Sequence, residues 1–515
     1  MNESVLILDF GSQYTQLIAR RVRECGVFSE IKPCTIAASA VDLSSVKAII
    51  LSGGPASVLD QSAPAFDSKW FESGVPILGV CYGMQLMAQQ FGGSLDAGES
   101  REYGRSQLKI TDNSPLFSGL DKSASFQVWM SHGDHVSDLP RGFTKIAESP
   151  GAPYSAMANS QNNLYGIQFH PEVMHTENGT QILRNFLFEI SKMKGDWTAD
   201  NFISSTIKQI SARVSKDENV ICGLSGGVDS SVAAVLVNQA ISDRLHCIYV
   251  NNGLMRKNES ENVDRMLGKN GIGLNLTIVD ASQQFLSALK GVSDPEEKRK
   301  IIGHTFIDVF NQEASKVGGA KYLVQGTLYP DVIESESVRG PSAVIKSHHN
   351  VGGLPEKMAL ELIEPFRELF KDEVREIGRS LKIPNEIISR QPFPGPGLGV
   401  RILGEITKEL VSTLQAADAI LDDEIRKAGL YESLWQSFMV LLPVKSVGVM
   451  GDDRTYERAA VIRAVNSVDG MTADWAYLPE TLLRKVSSRI INEVKGINRV
   501  TLDISSKPPS TIEWE

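Results

Sequence analysis

The sequence predicts an α/β protein: two parallel-sheet α/β domains followed by a smaller α+β domain. Three patterns carry that expectation. Short apolar, β-branched runs alternate with helically spaced segments through roughly residue 190. The same alternation restarts at Asn219 around a glycine-rich loop, which reads as a second strand–loop–helix unit. A Pro/Gly cluster at 391–399 then separates this region from a tail of mixed helix and strand character.

In the first region the strand-like runs are V-L-I-L-D, V-K-A-I-I-L, V-P-I-L-G-V and N-L-Y-G-I-Q-F. The Lys/Gly/Asp stretch at 192–196 breaks the pattern, so the first domain is placed at 1–195. The second, at 196–390, opens with a helix carrying Phe202, Ile203, Ile207, Ile210 and Val214, followed by the strands N-V-I-C-G-L, L-H-C-I-Y-V and Y-L-V-Q-G-T. The third, at 391–515, contains Leu482, Val486, Ile490 and Val494 at i, i+4 spacing, stopped by Gly496, and then the alternating strand Val500, Leu502, Ile504.

A length of 515 residues fits about three domains at ~150 each, and a hydrophobic content of 42% supports several cores. The N-terminal Met1-Asn2-Glu3 lacks a basic region and its apolar run stops at Asp9, so no signal peptide is expected. No apolar run is long enough to predict a membrane span. Five cysteines, without a C-x-x-C pair, argue against a disulfide framework or a structural zinc site and point to a reducing, cytoplasmic setting. The net charge of -10 speaks against nucleic acid as a partner but leaves local cationic pockets for small phosphorylated ligands.

The first chemical motif is G-V-C-Y-G, which places Cys81 between an apolar strand and a helical run. Glycines at 79 and 83 permit the sharp turn of a nucleophile elbow, and a helix N-terminus favours the thiolate, the nucleophilic form of cysteine. Far along the chain, F-H-P-E supplies a base, His170, beside a carboxylate, Glu172. A cysteine alone reads equally as a buried small hydrophobe, and a lone His-Pro-Glu as a loop. Together they suggest a Cys-His-Glu constellation in which His170 activates the thiol and Glu172 fixes its tautomer. S-G-G-P at 52–55 offers glycine amides to a developing oxyanion.

With S-G-G-P, G-V-C-Y-G-M-Q and H-P-E in order, residues 1 to about 190 resemble the class I glutamine amidotransferase domain. The resemblance implies glutamine hydrolysis through a thioester at Cys81, with the Gly54 and Tyr82 amides as oxyanion hole. It also implies that Gln85 and the segment Ser131, His132 and Gly133 contact the glutamine.

The second motif is S-G-G-V-D-S, comprising Ser225, Gly226, Gly227, Val228, Asp229 and Ser230, with Ser231 next. Glycine amides at a helix N-terminus form an anion site. The loop lacks the G-K-[ST] ending of a Walker A loop, so no lysine follows a transferred γ-phosphate. It resembles the PP-loop of ATP pyrophosphatases, which implies ATP as a substrate, Mg²⁺, and AMP and pyrophosphate as products, with no tightly bound organic cofactor. Asp229 reads either as a metal-side carboxylate or as a helix-capping one.

The remaining segments, E-E-K-R-K-I-I-G at 296–303, I-K-S-H-H-N-V-G-G-L-P-E at 345–356, P-F-P-G-P-G-L-G-V-R and the terminal K-P-P-S-T-I-E-W-E, resemble the GMP synthetase family throughout the chain. That resemblance names xanthosine monophosphate as the acceptor aminated with nitrogen from glutamine. It implies that Arg299 and Lys507 hold the nucleotide phosphate, that Ile512 and Glu513 meet the purine, that Val250 lies at the adenine of ATP, and that the chain forms a homodimer through its C-terminal domain. Two cations suit a dianionic phosphate, and a carboxylate suits purine N–H donors. Ser506 and Ser510 depart from the small residues common in the family's terminal segment. The rivals are a PP-loop amidotransferase with another acceptor, such as a nicotinate adenine dinucleotide, and a scaffold protein that has lost catalysis. The terminal segment disfavours the first, and the presence of Cys81, His170 and Glu172 the second.

Overall fold

The structure, a computed structural model, describes residues 3–61, 63–336, 360–450, 453–467, 470 and 472–515, with the backbone alone at 97–101, 333–336, 450 and 453. The motif at 345–356 lies outside the described residues. The chain divides into two compact units, Met1–Phe202 and Ile203–Glu515.

The first unit holds a nine-stranded sheet. Its strands are β1 (Ser4–Asp9), β2 (Phe28–Pro33), β3 (Val46–Leu51), β4 (Ile77–Val80), β5 (Ser94–Ile110), β6 (Phe126–Asp138), β7 (Thr144–Glu148), β8 (Ala156–Asn159) and β9 (Leu164–Ile167). The order β2-β1-β3-β4-β9-β8-β7-β5-β6 is parallel from β2 to β9 and antiparallel beyond it. The parallel strands are continuous apolar runs because both faces are covered: Val5, Leu6, Ile7 and Leu8 are all buried, as are Ala48 through Leu51. This topology places the carboxyl ends of β4 and β9 side by side, Val80 against Ile167, and those ends lead to Cys81 and His170. An open parallel sheet binds its ligands at that edge.

The second unit holds the parallel strands β10 (Asn219–Leu224), β11 (Leu245–Asn251), β12 (Leu276–Asp280), β13 (Ala320–Val324) and β14 (Glu361–Ile363) in the order β12-β11-β10-β13-β14. Central β10 feeds the glycine-rich loop and the helix Val228–Ile241. A second sheet pairs β15 (Gln436–Met450) antiparallel to β16 (Asp453–Asn466), with β17 (Asp474–Trp475) and β18 (Ile497–Leu502) along the other edge of β16. The helix Glu480–Glu493 buries Leu482, Val486 and Ile490 as its spacing predicts. The strand after Gly496 differs from expectation at its end. Ile504 lies beyond β18 and is exposed, because pairing with β16 stops at Leu502.

The Pro/Gly stretch is not a loose connector. Gly397–Val400 forms a buried short helix, and the Leu398 amide donates to the Leu254 carbonyl at 2.7 Å. One apolar cluster extends from Ile221 and Phe310 through Leu398 and Leu414 to Ile490 and Ile497, so the segments on either side of the stretch share a core. All five cysteines are free thiols. No described helix is long and apolar enough to cross a membrane.

Candidate active sites

At the end of β4 the chain turns through Cys81, whose φ of 51° and ψ of -105° lie outside the region that L-residues populate freely, into the helix Tyr82–Gln90. Such a conformation costs on the order of 1–3 kcal/mol and persists only where its surroundings enforce it. The flanking glycines do so. A Cβ at Gly83 would sit 2.4 Å from the Leu51 carbonyl oxygen, and one at Gly79 2.6 Å from the Gly83 backbone, so the G-V-C-Y-G spacing follows from close backbone approach. The Cys81 amide donates to Ile167 O at 2.8 Å, which fixes the elbow to β9.

Three residues past β9, buried His170 directs Nδ1 at Glu172 Oε1, 2.7 Å away. The His170 amide donates to Trp129 O at 3.0 Å and its carbonyl accepts from Thr176 Oγ1 at 2.6 Å. Arg21 Nε donates to the Glu172 carbonyl at 3.1 Å, and the Tyr14 ring meets the imidazole edge-on at 5.1 Å. Burial works against the imidazolium, but the Glu172 charge and the hydrogen bonds to Cys81 and Glu172 outweigh it and hold His170 well above the ordinary histidine value. The imidazole and carboxylate are hydrogen-bonded, and the Cys81 charge bears on the same imidazole.

Gly54 lies against Phe10 and Tyr82, where a Cβ would be 2.9 Å from the Phe10 carbonyl oxygen. Tyr82 is the first helical residue, so its amide has no intrahelical acceptor. Ser131, His132 and Gly133 lie on β6, and the Ser131 carbonyl is 3.6 Å from Cys81 Sγ. His132 is buried, with Nδ1 3.1 Å from Asp134 O and Nε2 3.3 Å from Glu102 Oε2, the latter contact not aligned as a hydrogen bond. Gly133 has open space beside it. Gln85 is buried, its Nε2 donating to Asp134 O at 2.7 Å.

In the second unit, Gly226 takes φ +75° and Gly227 caps the helix Val228–Ile241. Hydroxyls brace the turn: Ser225 Oγ accepts from the Gly227 amide at 3.3 Å, and Ser230 and Ser231 donate to the Gly227 carbonyl at 3.2 and 2.8 Å. Arg390 Nη1 donates to Gly226 O at 2.5 Å while Nη2 pairs with Glu259 Oε1. Asp229 does not cap the helix. Its Oδ2 lies 3.4 Å from Lys371 Nζ, and its buried Oδ1 has no partner among the described residues. One carboxylate with an unpartnered oxygen beside a glycine-rich loop suits Mg²⁺, which is commonly held by few protein ligands and by substrate phosphates. The described residues contain no group of three or more His, Cys, Asp or Glu fit to hold a metal by themselves. Val250 is buried near the end of β11, on the strand next to the loop's own.

The C-terminal tail returns to the helix Pro295–Ala314. Arg299 donates to the Glu515 main-chain oxygen, and Lys298 Nζ reaches Glu515 Oε2 at 2.5 Å and Ile402 O at 2.8 Å. Glu513 makes a two-point pair with Arg401 at 3.1 and 2.8 Å and accepts from Gln436 Nε2 at 2.8 Å. Arg463 donates to Ser505 O and Thr511 O at 2.6 and 3.0 Å. Ile512 packs on Phe438, Val440 and Val461, and Lys507 Nζ donates to Gly470 O at 2.8 Å. Arg299, Ile512 and Glu513 thus share one tail-bound region, although the Glu513 carboxylate is already matched by Arg401.

The class-I glutamine amidotransferase family model matches residues 6–190, the NAD synthase model 199–300 and the GMP synthase C terminal domain model 423–514. A glutamine-hydrolysing GMP synthase from Brachyspira hyodysenteriae is 59% identical over 100% of this chain and 99% of its own. One from Oleidesulfovibrio alaskensis is 57% identical over 99% of each chain. The chain belongs to the glutamine-hydrolysing GMP synthase family. A solved glutamine amidotransferase from Thermotoga maritima is 19% identical, covering 37% of this chain and 99% of that one at a TM-score of 0.31.

Within this GMP synthase family member, several residues at the two sites escape the motif reading. Gln168 precedes His170 by two positions yet touches Cys81 Sγ at 3.6 Å. Lys371 and Arg390 reach the glycine-rich loop from more than a hundred residues away in sequence. Lys298 stands in a basic run that reads as a solvated helix face, yet it is fully buried. Arg401 ends the P-G-L-G-V-R segment, and only its burial distinguishes it from a surface arginine.

Proposed function

We propose that this chain hydrolyses glutamine at Cys81 and uses the ammonia to convert xanthosine monophosphate to GMP, with ATP leaving as AMP and pyrophosphate. The observation that carries the reading is the strained Cys81 elbow beside the buried His170–Glu172 pair. Proton transfer from Cys81 to His170 gives a thiolate that attacks the carboxamide carbon, and His170 returns the proton to the departing ammonia. The Gly54 and Tyr82 amides receive the oxyanion, Glu172 holds the imidazole, and Gln85 with Ser131, His132 and Gly133 forms the surrounding wall of the glutamine site. Water then cleaves the thioester to release glutamate.

In the second unit the 2-oxygen of xanthosine monophosphate attacks the α-phosphorus of ATP, and pyrophosphate leaves into the loop of Ser225, Gly226, Gly227, Val228, Ser230 and Ser231, with Val250 at the adenine. Mg²⁺, held by Asp229 with the ATP phosphates, would neutralise charge on the leaving pyrophosphate. Ammonia adds at C2 and AMP departs, a better leaving group than the bare oxygen. Arg299 and Lys507 serve the nucleotide phosphate, and Ile512 and Glu513 the purine. Residues 391–515 pair two chains, with exposed Val447, Val449 and Tyr456 of the β15–β16 ribbon as candidate contacts.

The test supplies glutamine labelled at its amide nitrogen together with ATP, Mg²⁺ and xanthosine monophosphate. Label in GMP with equal AMP and pyrophosphate is expected. ADP as product, or amination of another acceptor in preference, refutes the reading, and a monomer by sedimentation refutes the pairing.

A further inference from the structure

Gln168 follows β9 directly, is fully buried, and lies between Cys81 and Gln85. Its Nε2 is 3.6 Å from Cys81 Sγ, and its Oε1 is 3.3 Å from Gln85 Nε2. The same Gln85 nitrogen is 2.7 Å from the main-chain oxygen of Asp134. Which end of each amide is which follows from donor and acceptor chemistry. A main-chain carbonyl only accepts, so the Gln85 atom facing Asp134 is its NH₂ nitrogen. The second hydrogen of that group points to Gln168 and requires oxygen there. Gln168 therefore turns its own NH₂ towards the sulfur. Flipping it would set two NH₂ groups together in a buried site, leaving donors unmatched.

We infer that Gln168 is a further catalytic residue of the glutaminase site, donating an N–H to the Cys81 thiolate, and that Gln85 orients it through the Asp134 carbonyl. The inference rests on Cys81 being the nucleophile. Besides Gln168, the sulfur faces the Ser131 carbonyl at 3.6 Å, to which the thiol can donate. Once the thiol proton moves to His170, that carbonyl opposes a negative sulfur and stabilises nothing. The Gln168 N–H then remains as a neutral side-chain donor on the anion, and a hydrogen bond to an ion in a buried site is stronger than one between neutral groups. When the sulfur bonds the carboxamide carbon, its charge passes to the oxyanion. When water later expels the thiolate from the thioester, the same N–H meets the returning charge. No bond to Gln168 forms or breaks.

The experiment uses the full chain and two variants: Q168M, which keeps volume but removes the donor, and Q85L, which keeps Gln168 but removes the hydrogen that orients it. Alkylation of Cys81 by iodoacetamide is followed against pH by mass spectrometry of its peptide, alongside steady-state glutaminase rates. For Q168M the alkylation profile should move to higher pH and the glutaminase rate should fall roughly 10–100-fold, the worth of one hydrogen bond to a charged group. Q85L should move the profile the same way by less, and it decides the matter if Q168M does not fold. A Q168M or Q85L profile superimposing on that of the unsubstituted protein overturns the inference. If the unsubstituted protein keeps its glutaminase activity after Cys81 is fully alkylated, the nucleophile reading fails and the role of Gln168 falls with it.

Discussion

Replacing Gly226 by alanine should disable the ATP-dependent half of the reaction while sparing glutamine hydrolysis. At φ +75° a side chain costs about 1–2 kcal/mol that glycine does not. The new Cβ would also stand 3.0 Å from Glu259 Oε1 and 3.2 Å from Val263 Cγ2. Neither can withdraw freely, because Glu259 is buried and held by Arg390 at 2.5 Å, and Val263 is core. Relieving that contact adds about 1 kcal/mol, a low value for overpacking. The total of about 2–3 kcal/mol must be supplied each time the loop is restored around phosphate, which corresponds to roughly 30–150-fold in the ATP-dependent rate. The assay is AMP formation with xanthosine monophosphate and an ammonium salt, with glutaminase activity measured on the same preparation. Gly303→Ala is the control, since Gly303 is exposed on the helix Pro295–Ala314 with nothing within 4 Å of the added carbon. A Gly226→Ala protein retaining more than half its ammonium-dependent activity would refute the reasoning.

Cys81→Ala should abolish glutamine-dependent synthesis and leave synthesis from ammonium salts; surviving glutaminase activity contradicts the nucleophile assignment. Glu172→Gln should destabilise the first unit most at lower pH. His170 titrates well above the ordinary histidine value in the folded protein, so the stabilisation is complete below the ordinary value and disappears as pH rises through the folded one. Denaturation midpoints of the two proteins should converge on the alkaline side, and a gap that widens there would reverse the sign. Lys298→Met keeps the aliphatic volume but strands the Glu515 carboxylate and the Ile402 carbonyl. A loss of about 2–4 kcal/mol is expected, near the low end for breaking a buried pair because Glu515 can turn to water. The affinity for xanthosine monophosphate should fall with it, and unchanged calorimetric binding would detach the tail from the nucleotide site.

The sequence alone determined what is local. Continuous apolar runs specified parallel strands, glycines at 79, 83 and 226 specified turns where a Cβ has no room or the backbone is left-handed, and the order strand, motif, helix put Cys81 and the glycine-rich loop at helix N-termini. The spacing of Leu482, Val486 and Ile490 likewise gave the buried face of a helix. Periodicity marked where apolar faces lie but not where pairing ends, so Ile504 reads as strand although β18 stops at Leu502, beyond which the Ala464 carbonyl of β16 accepts from the Ala476 amide instead. Only the tertiary structure decided which distant groups meet. The adjacency of β4 and β9 brings Gln168 to the sulfur, and folding across more than a hundred residues brings Lys371 and Arg390 to the loop. A charged side chain looks the same in sequence whether it is solvated or buried. Lys298, Arg401 and Arg463 become the clamps of the tail because the core closes over them, and a buried cation must find carboxylates and carbonyls to replace water.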